Sequence, residues 1–127
     1  MINLWLDDDL RNRKPPSFIH CGLIWVWAKT ADEAIEYLKT GTVEFASLDH
    51  DLADEHYFAY HGQVDPKDFK EKTGMSVLNW MEENAVWPKE GVRIHTMNPG
   101  KKLEMLEIIN RAYGRTFQHQ YKSTHQV

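Results

Sequence analysis

The sequence predicts an α/β domain with a small parallel sheet of four to five strands and helices on both faces. Three observations carry this prediction. Short apolar runs alternate along the chain with segments of helical periodicity, which is typical of parallel sheets. Three of the apolar runs end in polar residues, as strands do at the edge of such a sheet. The length of 127 residues suits one domain with one hydrophobic core. We therefore expect a single domain over 1–127, regular over about 1–114, with 115–127 as a short strand or tail.

The composition is that of an ordinary soluble globular protein, with 42% hydrophobic and 27% charged residues. No apolar run is long enough for a membrane span, and the short uncharged start of the chain, followed at once by acids, is not a signal peptide. The single cysteine, Cys21, excludes an intrachain disulfide and fits a reducing, cytoplasmic setting. A net charge of −4 gives no case for general binding to duplex nucleic acid.

Four apolar runs are predicted to be strands, at 2–6, 23–28, 43–48 and 92–97. Between the first two, the adjacent Pro15 and Pro16 disfavour a helix, so this segment is predicted to be a loop or an extended arm.

The first predicted helix follows the second strand. Thr30, with Glu33 three residues later, is a capping box, and Gly41 is a C-terminal stop. The least regular stretch is 53–72, which holds several aromatic residues. A loop of this length in a small domain is typical of a lid or a binding loop.

Two more helices are predicted in the second half of the chain. Thr73-Gly74 precedes one of them, and Trp87-Pro88 closes it. Asn98-Pro99 supplies an N-cap and a proline at the first position of the other, which ends at Gly114.

Polar side chains follow three of the predicted strands. Because the carboxyl ends of parallel strands meet at one edge of a sheet, we expect Asp7, Asp49 and His95 to meet at one rim. Clustered carboxylates repel one another unless a cation or protons intervene, and carboxylates suit a hard cation such as Mg²⁺ or Mn²⁺. The sequence thus predicts a divalent cation site formed by Asp7, Asp8 and Asp49, with Asp51 as an additional candidate.

The histidines at the strand ends suit acid–base chemistry. An unperturbed histidine titrates near neutrality, so His50 and His95 are predicted to act as general base and acid, with Asp49 and Asp51 as further catalytic candidates. The alternatives are a structural turn at 49–51 and a strand-end histidine satisfied by a backbone carbonyl.

The start of the third helix is predicted to bind a phosphate group. Backbone amides point outward at a helix N-terminus, Asn98 is the cap, and Thr96 lies two residues before it. Lys101 and Lys102 add positive charge there.

Several blocks of this sequence together resemble the cyclic-phosphate processing receiver-like domain family, and they extend from about residue 4 to residue 113. They are Leu6-Asp7-Asp8 followed by Arg11, Ser47-Leu48-Asp49-His50-Asp51-Leu52, Thr73-Gly74, and His95-Thr96-Met97-Asn98-Pro99 with Met105. The resemblance implies a flavodoxin-type, receiver-like sheet and a phosphoesterase-like enzyme that hydrolyses cyclic phosphates of nucleotides or RNA ends. It also implies a setting in phages or bacterial conflict systems, and it adds Arg11 to Thr96, Asn98 and Lys102 as substrate-binding residues.

The chain departs from the family pattern at a few positions. Threonine replaces the usual serine at Thr96, and Lys101 and Glu104 stand where glycine and asparagine are common. These differences bear on the identity of the substrate more than on the fold.

Two other functions use the same rim. A response-regulator receiver needs an acidic pair, an acceptor aspartate and a Ser/Thr, and Asp7-Asp8, Asp49 and Thr96 match these. It also needs a lysine after a fifth strand, and Lys122 is late and poorly placed for that role. The other alternative is a non-catalytic binder of cyclic nucleotides.

Overall fold

The computed structural model contains a four-stranded sheet in which every strand is parallel to its neighbours, as predicted. It describes residues 1–9, 11–17, 19–20, 22–53, 55–56, 62, 65, 72–96 and 98–114, so the predicted tail over 115–127 and most of the 53–72 loop lie outside the described residues. The strands are β1 (Ile2–Leu6), β2 (Trp25–Ala28), β3 (Val43–Leu48) and β4 (Gly91–Ile94), in the order β2-β1-β3-β4. The helices are α1 (Ala31–Lys39), α2 (Gly74–Asn84) and α3 (Pro99–Tyr113).

The two faces of the sheet are covered differently. Alternate strand residues, such as Leu4 and Leu48, pack with the apolar stripes of the helices into one buried core. In the described part of the chain all three helices share this face, since α2 packs against both α1 and α3. The prediction of helices on both faces therefore needs correction for these residues. The described part of the connection from β1 to β2, which carries the two prolines, contains no helix.

The second face of the sheet carries aromatic side chains instead of a helix. Trp25 makes edge-to-face contacts with Trp5 and Phe45, at 5.8 and 5.9 Å between ring centroids. Trp5 and Phe45 are buried on this face. Asp7 and Asp49 follow them at the alternating spacing that keeps their side chains on the same side.

The helix starts agree with the predicted caps. Thr30 accepts a hydrogen bond from the Glu33 amide at 3.1 Å, while the Glu33 carboxylate accepts from the backbone of Lys29 at 2.8 Å, one residue earlier than a capping box requires. Thr73 caps α2 and Asn98 caps α3.

The ends of two elements differ from the prediction. α2 ends at Asn84, because Ala85 adopts a left-handed conformation with φ of 53°, before the predicted stop at Trp87-Pro88. β4 ends at Ile94, before the predicted end at 97, although the backbone N–H of His95 still donates to the carbonyl of Leu48. None of the described helices combines the length and the apolar composition needed to cross a bilayer.

Candidate functional site

Three of the predicted site residues lie side by side where the strands end. The backbone N–H groups of Asp7, Asp49 and His95 each donate to the last carbonyl of the neighbouring strand at 3.0 Å. The hydrogen-bond ladder thus continues one residue beyond the strands and holds the three residues at one level. The prediction that they meet at one rim of the sheet is confirmed.

A cluster of carboxylates forms the centre of this rim. Asp7, Asp8 and Asp49 each offer an oxygen, and these oxygens lie within 4.8 Å of one another. Asp7 and Asp49 are fully buried, whereas the side chain of Asp8 is 32% exposed. We call these three residues the acidic cluster.

The guanidinium group of Arg13 contacts all three members of the acidic cluster. Its Nη2 lies 3.1 Å from Oδ1 of Asp7 and 3.5 Å from Oδ1 of Asp8. Its Nη1 lies 3.3 Å from Oδ2 of Asp49. One positive charge therefore faces three carboxylates, which leaves negative charge at the rim.

Burial shapes the protonation of this cluster. It raises the pKa of Asp49 to about 7, against the opposing effect of Arg13 and with a further rise from Asp7. Burial also raises the pKa of Asp8, and the neighbouring Asp7 adds to that rise. Near neutral pH part of the negative charge is thus cancelled by bound protons.

The acidic cluster fits a hard divalent cation. All three donors are carboxylate oxygens, the ligands that Mg²⁺ and Mn²⁺ prefer. Oδ2 of Asp49 is buried and accepts no hydrogen bond in the described residues, although Arg13 stands at ion-pair distance. A buried carboxylate oxygen with unused acceptor capacity is consistent with a cation ligand. The predicted fourth candidate, Asp51, is engaged elsewhere.

His50 and Asp51 form a tight pair beside the acidic cluster. Nδ1 of His50 lies 2.6 Å from Oδ1 of Asp51. Since a carboxylate accepts hydrogen bonds, Nδ1 carries a hydrogen and donates a hydrogen bond to Asp51. Nε2 has no hydrogen-bond partner among the described residues and is the nitrogen left to accept a proton. The backbone N–H of His50 donates to Oδ1 of Asp49 at 2.8 Å, which ties the pair to the cluster.

His95 is held at both of its ring nitrogens. Nε2 lies 3.1 Å from Oδ2 of Asp7, and Nδ1 lies 2.7 Å from the hydroxyl of Ser47. Burial lowers the pKa of His95, with Asp7 acting in the opposite direction. The ring is therefore neutral at neutral pH, with Nε2–H donating to Asp7 and Nδ1 accepting from Ser47.

The predicted substrate-binding residues are not gathered in one place. Asn98 caps α3 by accepting from the amide of Lys101 at 3.2 Å, and its own amide donates to the Thr96 hydroxyl at 3.1 Å. Thr96 lies close enough to Asp49 for its side chain to lower the pKa of that carboxyl. Lys102 and Arg11 are placed differently, since neither forms an ion pair with the acidic cluster in the described residues, and Arg11 is exposed.

The sequence prediction missed three residues that shape this rim, namely Arg13, Ser47 and Trp5. Arg13 belongs to the basic stretch over 11–14, where spacing alone did not separate it from Arg11. Ser47 and Trp5 each lie two residues before a rim aspartate, and the alternation of strand side chains places them on the same face as that aspartate. This alternation was the signal that could have identified them.

Comparisons with curated proteins and with solved structures found no match. A family model described as the cyclic-phosphate processing receiver domain matches residues 2–111, a range that includes the acidic cluster, His50, His95 and Asn98. The chain therefore belongs to the cyclic-phosphate processing receiver domain family.

Proposed function

We propose that this protein is a phosphoesterase-like enzyme that hydrolyses the cyclic phosphate of a nucleotide or of an RNA end. The observation that carries the proposal is the His50–Asp51 pair, which fixes one ring nitrogen of His50 and leaves the other to take up a proton. Membership of the cyclic-phosphate processing family supports the choice of substrate class.

The proposed reaction is attack of water on the phosphorus of the cyclic diester. Nε2 of His50 accepts the proton of the attacking water, while Asp51 holds the ring in the required tautomer and stabilises the positive charge that forms on it. A bond from the water oxygen to phosphorus forms, one ring P–O bond breaks, and the leaving oxygen takes up a proton from solvent, to which His50 later returns the proton that it accepted. The product is a phosphate monoester.

A cyclic phosphodiester is negatively charged, and the rim is acidic. Arg13 and bound protons cancel only part of the negative charge of the acidic cluster, so a cation bound there would reduce the repulsion of the substrate. Asp7, Asp8 and Asp49 would hold a divalent cation there, and the cation would neutralise charge on the phosphoryl oxygens. The helix-start amides after Asn98 are the other group suited to a phosphate.

For His95 we propose a positioning role in place of the acid–base role predicted from the sequence. Its two ring nitrogens are bonded within the protein, and its lowered pKa keeps the ring neutral. A neutral ring between Ser47 and Asp7 orients the Asp7 carboxylate, in the way that partners of metal ligands commonly do.

The test is an assay of turnover on cyclic nucleotides and on cyclic-phosphate RNA ends, with and without Mg²⁺ or Mn²⁺. His50→Ala should lower the rate by roughly 10²- to 10⁴-fold and leave ligand binding largely intact. His20→Ala is the matched control, because His20 packs on Phe45 away from the rim and should retain normal turnover. Binding without turnover in the unmodified protein would favour a non-catalytic binder, and normal turnover in His50→Ala would refute the assignment of the base.

A phosphoacceptor receiver is the second candidate function. The observation in its favour is that Asp49 follows β3 with Asp7 and Asp8 beside it and Thr96 close by, as a receiver requires. Against it, Arg13 is the only cation that forms an ion pair with Asp49 in the described residues. Incubation with acetyl phosphate and Mg²⁺, followed by mass spectrometry, would detect a phosphorylated Asp49.

A further inference from the structure

Arg13 is bound more closely to the acidic cluster than a chance surface pairing would be. Its two terminal nitrogens contact carboxylates that come from two different strand ends, at 3.1 to 3.5 Å. Two of these carboxylates, on Asp7 and Asp49, are fully buried. Buried carboxylates need a partner cation, and Arg13 supplies one from within the chain.

The backbone of Arg13 is fixed, while its side chain reaches across the rim. Its N–H donates to the carbonyl of Asp9 at 2.8 Å, and its carbonyl accepts from the indole N–H of Trp5 at 3.0 Å. The side chain is 30% exposed, and its Nε–H is buried without an acceptor in the described residues. Without this hydrogen bond, the guanidinium is bound less favourably here than it would be with all of its N–H groups paired.

A divalent cation and the Arg13 guanidinium need the same space. A hard cation binds carboxylate oxygens at about 2.0–2.6 Å. The three carboxylates that would bind it are those that Arg13 contacts at 3.1 to 3.5 Å. Both groups are positively charged, so close approach is opposed by repulsion as well as by volume.

We propose that Arg13 is the internal counter-cation of the acidic cluster and that it leaves the cluster when a divalent cation binds. Arg13 thereby sets the metal affinity, since each binding event includes the loss of its ion pairs. The inference rests on the cation site of the proposed function, but it does not depend on the reaction that the protein catalyses.

The test is calorimetric titration of the full chain with Mn²⁺ alone. Arg13→Gln removes the charge and keeps a side chain of intermediate length. We expect this variant to bind Mn²⁺ roughly 10- to 100-fold more tightly than the unmodified protein, because the charge-assisted contacts of Arg13 no longer compete with the metal for the carboxylates. Lys14→Gln is the control, since it makes the same change in net charge from an exposed position in the same segment. It should change the affinity by less than about twofold. Equal affinity in Arg13→Gln and Lys14→Gln would overturn the proposal.

Arg13→Lys provides a second variant that keeps the charge. A lysine cannot contact two strand ends with a planar fork, so the Mn²⁺ affinity of this variant should lie between those of the unmodified protein and Arg13→Gln.

In the unmodified protein, NMR of arginine side chains during titration with Mg²⁺ should show one guanidinium signal that shifts with occupancy. An unchanged signal at saturating Mg²⁺ would contradict the exchange. Absence of metal binding in every variant would refute both the exchange and the cation site, whereas tighter binding without turnover would refute only the hydrolase.

Discussion

The indole ring of Trp5 lies flat against the imidazole ring of His95, with 3.8 Å between the ring centroids and 3° between the planes. The same indole donates its N–H to the carbonyl of Arg13 at 3.0 Å. One buried side chain of β1 thus supports both the histidine that contacts Asp7 and the segment that carries Arg13. The aromatic face of the sheet therefore holds His95 and the Arg13 segment in place at the rim.

His95→Ala should destabilise the protein strongly. The substitution leaves Oδ2 of Asp7 and the hydroxyl of Ser47, both fully buried, without the partner they have now, and it removes the ring that packs on Trp5. We expect the free energy of unfolding to fall by roughly 2–5 kcal/mol, measured by urea denaturation. Ser47→Ala removes a single hydrogen bond and should cost about 1 kcal/mol. Equal losses in the two variants would show that His95 does not hold the rim together.

Asp8→Asn should weaken metal binding without a comparable effect on the fold. Asp8 is the exposed member of the acidic cluster, so its carboxylate can be replaced at little cost in packing. We expect the dissociation constant for Mn²⁺, measured by calorimetry, to rise by roughly tenfold or more, since a neutral amide is a poorer ligand for a hard cation. Asp9→Asn is the neighbouring control outside the cluster. An equal change in the two variants would indicate general electrostatic attraction and not ligation.

Asp49 should make the metal-free protein less stable as the pH rises. Its folded pKa of about 7 lies above its ordinary value of 3.8, so the folded chain binds this proton more tightly than the unfolded chain does. The resulting stability is fully present below about pH 4 and is lost as the pH rises to about 7, at up to about 1.4 kcal/mol per pH unit. The raised pKa of Asp8 acts in the same direction.

The measurement is urea denaturation at pH 5 and pH 8 in the presence of a chelator. Asp49→Asn has no proton to lose, so the fall in stability between the two pH values should be much smaller than in the unmodified protein. The part due to Asp8 should remain. Asp32→Asn, at an exposed position of α1 that pairs with Lys72, should keep the full pH dependence. A pH dependence unchanged by Asp49→Asn would contradict the raised pKa.

The sequence predicted the rim well where local rules determine position. Asp7, Asp49 and His95 follow apolar runs, and parallel pairing brings the ends of such runs to one edge whatever the loops do. Asn98 and Thr30 were found because a cap needs only its own helix.

Arg13 was not found, because its place depends on contacts made across the fold. The indole of Trp5 fixes its backbone, and carboxylates from two strand ends fix its side chain, so no local spacing marks it. The pairing of both ring nitrogens of His95 likewise depends on Ser47 from β3, which its own segment does not reveal. Because such long-range contacts decide where a side chain lies, the sequence identified residues of suitable chemistry but did not show which of them reach the rim.

Gly74, the first residue of α2, is packed directly against the strand end that carries the candidate site. Its N–H donates to the carbonyl of His50 at 2.9 Å. A Cβ added there would lie 1.8 Å from the carbonyl oxygen of Asp49 and 3.1 Å from Cα of His50. Both neighbours are backbone atoms, so no rotation of a side chain can relieve the clash. The start of α2 can therefore approach Asp49 and His50 only because position 74 has no side chain.

Gly74→Ala should force the helix start and the 49–50 strand end apart. We expect a loss of roughly 3 kcal/mol or more in unfolding free energy, or a folded protein whose Mn²⁺ affinity and turnover both fall because Asp49 and His50 have moved. Gly100→Ala is the matched control in the first turn of α3, where the nearest atom outside the helix backbone is the Asn98 side chain at an ordinary 3.7 Å. That variant should be neutral or slightly more stable, since alanine favours a helix more than glycine does. If Gly74→Ala kept the stability and metal affinity of Gly100→Ala, the close contact between α2 and the Asp49–His50 peptide would not exist in solution.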